Sequence, residues 1–216
     1  MKLHLIWDMD GTLVDSQQEV FLTIEKSLKR VGVSIDNALN PLRIGPPVKE
    51  IIRTSFPETI LSDKKLEETV KTFRQIYDSS MFVDTLPFPG VDELIRCDHF
   101  IHHVITNKPD FATRRIIEMK GWTGFIKNVL SPDTLQSEFG CVLKKLELFH
   151  FFKDQNPAFK ALGIGDMAVD IQCANAVGYE SVGVLWGSGT RDELVMAGAN
   201  FIVSDVNGLI DILNTY

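Results

Sequence analysis

The chain has 216 residues, of which 44% are apolar and 24% are charged, and its net charge is −7. This ordinary globular composition excludes collagen-like and low-complexity chains. The negative charge argues against nucleic acid or an anionic membrane as a partner, because both require clustered positive charge. The cysteines lie far apart, without metal-finger or redox spacing, as is typical of a reducing compartment: Cys97, Cys141 and Cys173. We expect a soluble cytoplasmic protein, since its N-terminal apolar run is too short for a signal peptide. We also expect a monomer or a homodimer.

Apolar runs typical of buried strands alternate with helical patterns along most of the chain. In chain order the predicted strands are Leu3–Trp7, His102–Thr106, Lys127–Leu130, Phe159–Gly165, Ser181–Leu185 and Phe201–Val203. The predicted helices are Val91–Arg96, Phe111–Met119, Leu143–Phe152, Ala168–Ala176, Arg191–Met196 and Leu209–Leu213. This alternation predicts an α/β fold, a Rossmann-like parallel sheet with helices on both faces. Ligands bind such sheets at the carboxyl ends of the strands.

The segment after the first predicted strand is electrically neutral and has a helical pattern. Apolar residues at helical spacing predict helices at 17–31, Pro46–Phe56 and 63–80. Ser16 and Glu19 have the spacing of a capping box at the first helix. We therefore expect residues 16–86 to form a helical insert, and residues 1–15 and 87–216 to form the α/β domain.

Two carboxylates follow the first predicted strand, at Asp8 and Asp10, and Gly11 comes directly after them. Side chains two residues apart on a strand share a face, so this spacing forces like charges together. A bound cation, or a nucleophile paired with a proton donor, accounts for such a pair. The alternative is a polar turn without chemistry.

The string DMDGTLVDS at residues 8–16 resembles motif I of the haloacid dehalogenase-like superfamily. Further pieces follow in that superfamily's order: Thr106-Asn107-Lys108-Pro109 after a predicted strand, a lysine at Lys144 or Lys145, and Gly165-Asp166 followed by Asp170. The insert is similar to the helical cap of the superfamily's subclass one. Residues 43–47 resemble the cap loop of phosphoglycolate phosphatase-like members.

This resemblance implies a Mg²⁺-dependent phosphatase that hydrolyses a small phosphorylated metabolite through an aspartyl-phosphate intermediate. Asp8 would be the nucleophile, and Asp10 would be the general acid and base. Thr106 and Asn107 would bind the phosphoryl oxygens. The implied Mg²⁺ ligands are Asp8, Asp10 through its backbone carbonyl, Asp166 and Asp170.

The charges of these residues agree with that chemistry. Four carboxylates and a phosphate need compensation, which a divalent cation and a lysine would supply. Asp170 lies one helical turn after Asp166, so both side chains can face one side, and carboxylates suit Mg²⁺. The alternative for Asp166 is the N-cap of a helix, and the alternative for Thr106 and Asn107 is capping before Pro109.

The catalytic lysine has two candidates, because members of the superfamily usually carry Lys-Pro and this chain has Lys144-Lys145 without a proline. We favour Lys144, since it leaves more residues for the following helix, and Lys145 would then be a solvated surface charge. Lys108 has no assigned role: it either reaches the site or is a solvated helix residue.

In the insert, Arg43 and Lys49 flank a Gly-Pro-Pro turn and are candidates for substrate recognition, where they would pair with a carboxylate or a second phosphate. Solvated surface charge is the alternative for both residues.

Asp10 also separates the possible reactions. Superfamily members that cleave carbon–halogen bonds lack an acid two residues after the nucleophile, so Asp10 favours phosphoryl transfer. A sugar-phosphate mutase of the same superfamily is the nearest alternative, and a degenerate member that binds a ligand without turnover is another. Phosphorylation-controlled receiver domains carry similar residues, but in a different order and without a helical insert.

Overall fold

The structure is a computed structural model of the chain and describes residues 2–33, 45–55, 61–136 and 140–216. The chain divides into two compact units: Met1–Asp15 with Pro87–Tyr216, and Ser16–Leu86. Across the described ranges, no helix has the length and apolar character needed to cross a membrane.

The first unit is built on a parallel sheet. In chain order the strands are β1 (His4–Trp7), β2 (Val14–Asp15), β3 (Leu86–Pro87), β4 (Ile101–Ile105), β5 (Ile126–Leu130), β6 (Ala161–Gly165), β7 (Glu180–Val184) and β8 (Phe201–Val203). Six of them form one sheet in the order β5-β4-β1-β6-β7-β8, while β2 and β3 form a separate pair. All neighbours in the large sheet are parallel. The predicted α/β fold is therefore confirmed, with the fully buried β1 inside the sheet.

Helices follow the strands as the sequence pattern predicts. In chain order they are α1 (Gln17–Arg30), α2 (Val48–Ser55), α3 (Asp63–Tyr77), α4 (Val91–Ile95), α5 (Asp110–Met119), α6 (Lys145–Gln155), α7 (Ala168–Ala176), α8 (Arg191–Met196) and α9 (Val206–Leu213). The core of the first unit includes Phe149 and Phe152 of α6, which cluster with Ile6 and Ile105 of the sheet. This packing fixes the start of α6 relative to the strand ends.

The second unit is helical. Helix α1 packs against α3, and α2 also packs against α3. Val20, Ile24 and Leu28 repeat at helical spacing on α1 and are buried, as are Leu66 and Phe73 on α3. The apolar spacing of the sequence therefore predicts the buried faces of this unit.

The predicted capping box at α1 is wrong. Ser16 is the N-cap residue but makes no side-chain capping hydrogen bond. The carboxylate of Glu19 instead accepts hydrogen bonds from Ser80 Oγ and from the backbone N–H of Asp84, the latter at 3.2 Å. Glu19 is buried, so its charge is satisfied by these distant donors rather than by the first turn of its own helix.

Buried histidines lie in the sheet, with His4 on β1 and His102 and His103 on β4. His4 Nδ1 is 2.9 Å from His103 Nε2, and the amide of Asn128 lies 3.0 Å from His103 Nδ1. The indole N–H of Trp7 donates to His102 Nδ1 at 3.1 Å. Burial lowers the pKa of His103 to about 3 and the pKa of His102 to about 4. Both rings are therefore neutral in the folded protein at pH 5.

Acidification to pH 5 is expected to cost about 2 kcal/mol of unfolding free energy for each of His102 and His103. The unfolded chain binds a proton on each ring below pH 6.5, whereas the folded chain does not, so stability falls as the pH falls. Urea unfolding at pH 7.5 and pH 5 should show that wild type loses about 2 kcal/mol more than His103→Gln.

Burial also raises the pKa of Asp166, and this raised pKa makes acidification stabilise the folded chain, opposite to the effect of the histidines. The contribution of Asp166 is common to wild type and His103→Gln, so the difference between the two proteins reports the histidine. His150→Gln is the matched control, since the ring of His150 is exposed. An identical loss on acidification in wild type and His103→Gln would contradict the neutral, buried histidine.

Candidate active site

Polar residues follow three neighbouring strands at the point where each strand ends. Asp8 follows β1, Thr106 follows β4 and Asp166 follows β6. The Asp8 N–H donates to Ile164 O at 2.9 Å, and the Thr106 N–H donates to Leu130 O at 3.1 Å, so both residues continue the sheet hydrogen bonds. Because the strands are parallel neighbours, these residues lie at one edge of the sheet.

Three buried carboxylates meet at this edge. Asp8, Asp166 and Asp170 each offer an oxygen, and these oxygens all lie within 4.8 Å of one another. Burial, together with the neighbouring carboxylates, raises the pKa of Asp8 to about 6 and that of Asp166 to about 8, although Lys145 acts to lower the pKa of Asp8. Such a group needs protons or a cation to compensate its charge. Hard carboxylate oxygens fit Mg²⁺, so the donor set fits the metal that the sequence implies.

Asp166 is held by donors on two loops. Thr12 Oγ1 donates to its Oδ1 at 3.2 Å, and the backbone N–H of Ser188 donates to its Oδ2 at 2.7 Å. Trp186, near Ser188, donates its indole N–H to the backbone carbonyl of Thr12 at 3.0 Å. The two loops are thus tied to each other as well as to Asp166.

Glycine allows this close approach of the loops. Gly11 has a φ of +82°, and a Cβ there would lie 2.4 Å from Asp166 Oδ2. A Cβ on Gly187 would lie 2.3 Å from the carbonyl oxygen of Gly11. Larger residues would therefore displace the loops that hold Asp166.

Asp166 is not the N-cap of α7, which was the alternative without function. The N-cap residue is Met167, and its N–H donates to Asp170 Oδ2 at 2.9 Å. Asp170 therefore caps the helix with Oδ2, and its Oδ1 accepts a hydrogen bond from Lys145 Nζ. The structure brings together three of the four predicted metal ligands through their side chains.

The structure places Lys145, not Lys144, among the carboxylates. Lys145 Nζ lies 2.5 Å from Asp8 Oδ1 and 2.5 Å from Asp170 Oδ1, and its side chain is 3% exposed. Burial acts to lower the pKa of Lys145, but Asp170 and Asp8 outweigh it and raise the pKa. Lys145 is therefore a cation in this site.

The preference for Lys144 is thus corrected. Lys144 is exposed and is the N-cap residue of α6, where its backbone N–H donates to Glu147 at 2.6 Å. The predicted helix began at Leu143, whereas α6 begins at Lys145. Lys145 lies three, four and seven residues before the buried Leu148, Phe149 and Phe152, so it shares their face of the helix, whereas Lys144 is outside the helix.

Asp10 does not join the carboxylate group with its side chain. Both of its carboxylate oxygens are bound by Lys108 Nζ, at 2.8 and 2.9 Å. Its predicted metal contact runs through the backbone carbonyl and stays a prediction. Lys108, to which the sequence assigned no role, is thus a buried residue of the site.

The predicted phosphate-binding residues lie in the turn after β4. Thr106 is buried, and its Oγ1 accepts a hydrogen bond from the backbone N–H of Lys108 at 3.2 Å. Asn107 is half-buried in the same turn. The turn therefore brings both residues to the strand end next to Asp8.

The two residues predicted in the insert have different outcomes. Arg43 lies outside the described residues, so its role stays a prediction. Lys49 lies in the first turn of α2, is 48% exposed and forms an ion pair with Glu67 of α3. The charge of Lys49 is thus partnered within the second unit.

Sequence reasoning missed Thr12, Trp186 and Ser188. Ser188 acts through its backbone N–H, a group that nearly every residue has, so its residue type does not indicate this role. The signal available was the segment Trp186-Gly187-Ser188-Gly189 directly after a predicted strand, where glycines mark a close backbone approach.

Known proteins resemble this chain over most of its length. A family model described as haloacid dehalogenase-like hydrolase matches residues 5–184. A phosphoglycolate phosphatase from Aquifex aeolicus (strain VF5) is 30% identical over 190 residues, which are 85% of this chain and 84% of the relative. A 5′-nucleotidase from Pseudomonas aeruginosa is 24% identical over 220 residues, which are 99% and 96% of the two chains. The solved structure of a predicted phosphatase from Clostridium acetobutylicum has a TM-score of 0.80 at 22% identity and full coverage of both chains, a likeness of fold.

Proposed function

The chain belongs to the haloacid dehalogenase-like hydrolase family and is a phosphoric monoester hydrolase, and from this premise we propose that it hydrolyses a small phosphorylated metabolite through an aspartyl-phosphate on Asp8. The observation that carries the proposal is the group of three buried carboxylates with one buried lysine at the sheet edge. We propose that Asp8, Asp166 and Asp170 bind Mg²⁺, together with the backbone carbonyl of Asp10. The bound cation would neutralise charge on the phosphoryl group and polarise it.

In the first step, an oxygen of the Asp8 carboxylate attacks phosphorus and the bond from phosphorus to the ester oxygen breaks. Asp10 enters this step protonated, gives its proton to the departing oxygen and becomes the carboxylate that takes a proton from water in the second step. Lys145 holds the other side of the site with a positive charge 2.5 Å from Asp8, which offsets the negative charge that gathers there.

In the second step, Asp10 takes a proton from water, and the resulting hydroxide attacks phosphorus of the aspartyl-phosphate. The bond between phosphorus and Asp8 then breaks, which releases phosphate and restores the carboxylate. Thr106 and Asn107 would hold phosphoryl oxygens in both steps through a hydroxyl and backbone N–H groups. Their place after β4, beside the strand that ends at Asp8, supports that role.

We further propose that residues 16–86 are a cap domain that selects the substrate, while residues 1–15 and 87–216 are the catalytic domain. The division of the chain into two compact units at these positions supports the proposal. A cap would exclude water and present side chains to the leaving group, for which Arg43 and Lys49 are the candidates.

We propose 2-phosphoglycolate as the first substrate to test and the cytoplasm as the site of action. The Aquifex aeolicus relative supports the substrate, and the sparse, unpaired cysteines support the compartment. A kcat/KM panel should include a sugar phosphate, a nucleoside 5′-monophosphate and pyrophosphate. We expect phosphoglycolate to give the highest kcat/KM; a higher value for another member would overturn this substrate, and phosphoryl return to a sugar would identify a mutase.

Removal of divalent metal is expected to lower hydrolysis of p-nitrophenyl phosphate by about 10²-fold or more, because several kcal/mol of charge stabilisation is lost. Activity would be measured after EDTA treatment and again after addition of excess Mg²⁺, which should restore it. Urea unfolding of the treated protein is the control for a folded chain. Activity that is unaffected by EDTA would contradict the metal proposal.

A further inference from the structure

A second buried ion pair lies next to the carboxylate group. Lys108 Nζ contacts both carboxylate oxygens of Asp10, at 2.8 and 2.9 Å. The side chains of Lys108 and Asp10 are 5% and 13% exposed. A contact of one ammonium group with both oxygens restrains the position of the carboxyl group.

The backbone of Lys108 is itself fixed on both sides. Its N–H donates to Thr106 Oγ1 at 3.2 Å, and its carbonyl accepts a hydrogen bond from Thr113 Oγ1 at 3.3 Å. Thr113 also donates to Pro109 O at 2.9 Å. The lysine therefore projects from a turn that is anchored to β4 and to the first turn of α5.

The two buried lysines of the site have separate partners. Lys145 binds Asp8 and Asp170, whereas Lys108 binds Asp10. A buried lysine beside a carboxylate is costly to desolvate. Lys145 binds Asp8, the proposed nucleophile. Lys108 instead binds Asp10, the residue that we propose for proton transfer.

We propose that Lys108 is a positioning residue for proton transfer: it holds the carboxyl group of Asp10 where the departing ester oxygen takes up its proton. This inference rests on the proposed function, in which Asp10 is the general acid and base. Proton transfer requires a heavy-atom distance of about 3 Å, and a misplacement of about 1 Å is costly. Without Lys108 the carboxyl group can move away from the leaving oxygen.

The test compares leaving groups. An alkyl phosphate such as glycerol phosphate leaves as an alkoxide and needs a proton, whereas p-nitrophenyl phosphate leaves as a stable phenolate and does not. Lys108→Met is expected to lower kcat/KM for glycerol phosphate by about 10²-fold, within the range of a lost general acid, and to change kcat/KM for p-nitrophenyl phosphate by less than about 3-fold. Lys108→Arg should restore part of the loss, because a guanidinium can also bind both oxygens.

The parameter kcat/KM reports only steps up to formation of the phosphoryl-enzyme, so it isolates the acid role of Asp10 from its later role as a base. Hydrolysis of the aspartyl-phosphate does need that base, and kcat for p-nitrophenyl phosphate should therefore fall in Lys108→Met. Lys127→Met is the matched control, since Lys127 is an exposed lysine on β5, and both parameters should stay at the wild-type level.

A second measurement uses Asp10→Asn as background. If Lys108 acts through Asp10, adding Lys108→Met to Asp10→Asn should cause no further loss of kcat/KM on glycerol phosphate. This comparison and Lys108→Arg keep the test decisive if Lys108→Met folds poorly.

The outcomes separate the two proposals. A wild-type protein that hydrolyses no phosphate monoester would overturn the proposed function itself. An active wild type in which Lys108→Met lowers kcat/KM equally for both substrates, or for neither, would overturn the positioning role and leave the phosphatase in place.

Discussion

Asp8→Asn is expected to lower phosphatase turnover by at least about 10⁴-fold, because an amide cannot attack phosphorus and the site loses its nucleophile. The substitution is nearly isosteric, and its neighbour Lys145 Nζ still has Asp170 as a partner at 2.5 Å. The fold should therefore survive, which urea unfolding would verify. The direct measurement is acid quenching of the enzyme with labelled substrate: wild type should yield phosphoryl-enzyme, and Asp8→Asn should yield none.

Asp10→Asn is the matched variant, since it removes the other carboxylate of the motif and leaves the nucleophile. Loss of a general acid and base should slow turnover by about 10²–10⁴-fold while phosphoryl-enzyme still forms from p-nitrophenyl phosphate. The carboxylate of Asp10 contacts Lys108 rather than the carboxylate group, which agrees with two separate tasks. Full activity of Asp8→Asn would refute the covalent mechanism.

The sheet and its strand-end carboxylates were predictable because both depend on patterns that local sequence carries. An apolar run that ends in a carboxylate predicts Asp8 and Asp166 at the ends of buried strands, and parallel strands bring such ends together. The spacing of Asp166 and Asp170 predicts that they meet, and both lie in the carboxylate group, but Asp166 precedes the N-cap Met167, so the two do not share one side of a helix.

The lysines were harder to predict because their roles depend on tertiary burial. Lys108 and Lys145 are both buried against carboxylates, although a sequence pattern treats a lysine as a solvated residue by default. The spacing of Lys145 to Leu148, Phe149 and Phe152 places it on the buried face of α6, but a lysine on an apolar face is not expected without knowledge of the carboxylates that it meets. Glu19 was misassigned for a similar reason, since its donors, Ser80 and Asp84, lie far along the chain.

Lys145 also gives the second large expected effect: Lys145→Met should lower kcat/KM by about 10³-fold, whereas Lys144→Met should change it by less than about 3-fold. Methionine keeps the aliphatic length of lysine and removes its charge, so packing beside α6 is retained. What is lost is the ammonium 2.5 Å from Asp8 and Asp170, and removing one preorganised donor that stabilises charge in the transition state costs about 10²–10³ in rate.

The adjacent lysine makes this comparison unusually strict, because both variants remove one positive charge and one ammonium group within a single residue of each other. A general effect of net charge would move both variants equally and would weaken with added salt. The backbone N–H of Lys144 that donates to Glu147 at 2.6 Å is kept in either variant, so the start of α6 should be preserved. A larger loss in Lys144→Met would show that Lys144 acts at the site, and equal losses would show a general effect of charge; either result would overturn the assignment of Lys145.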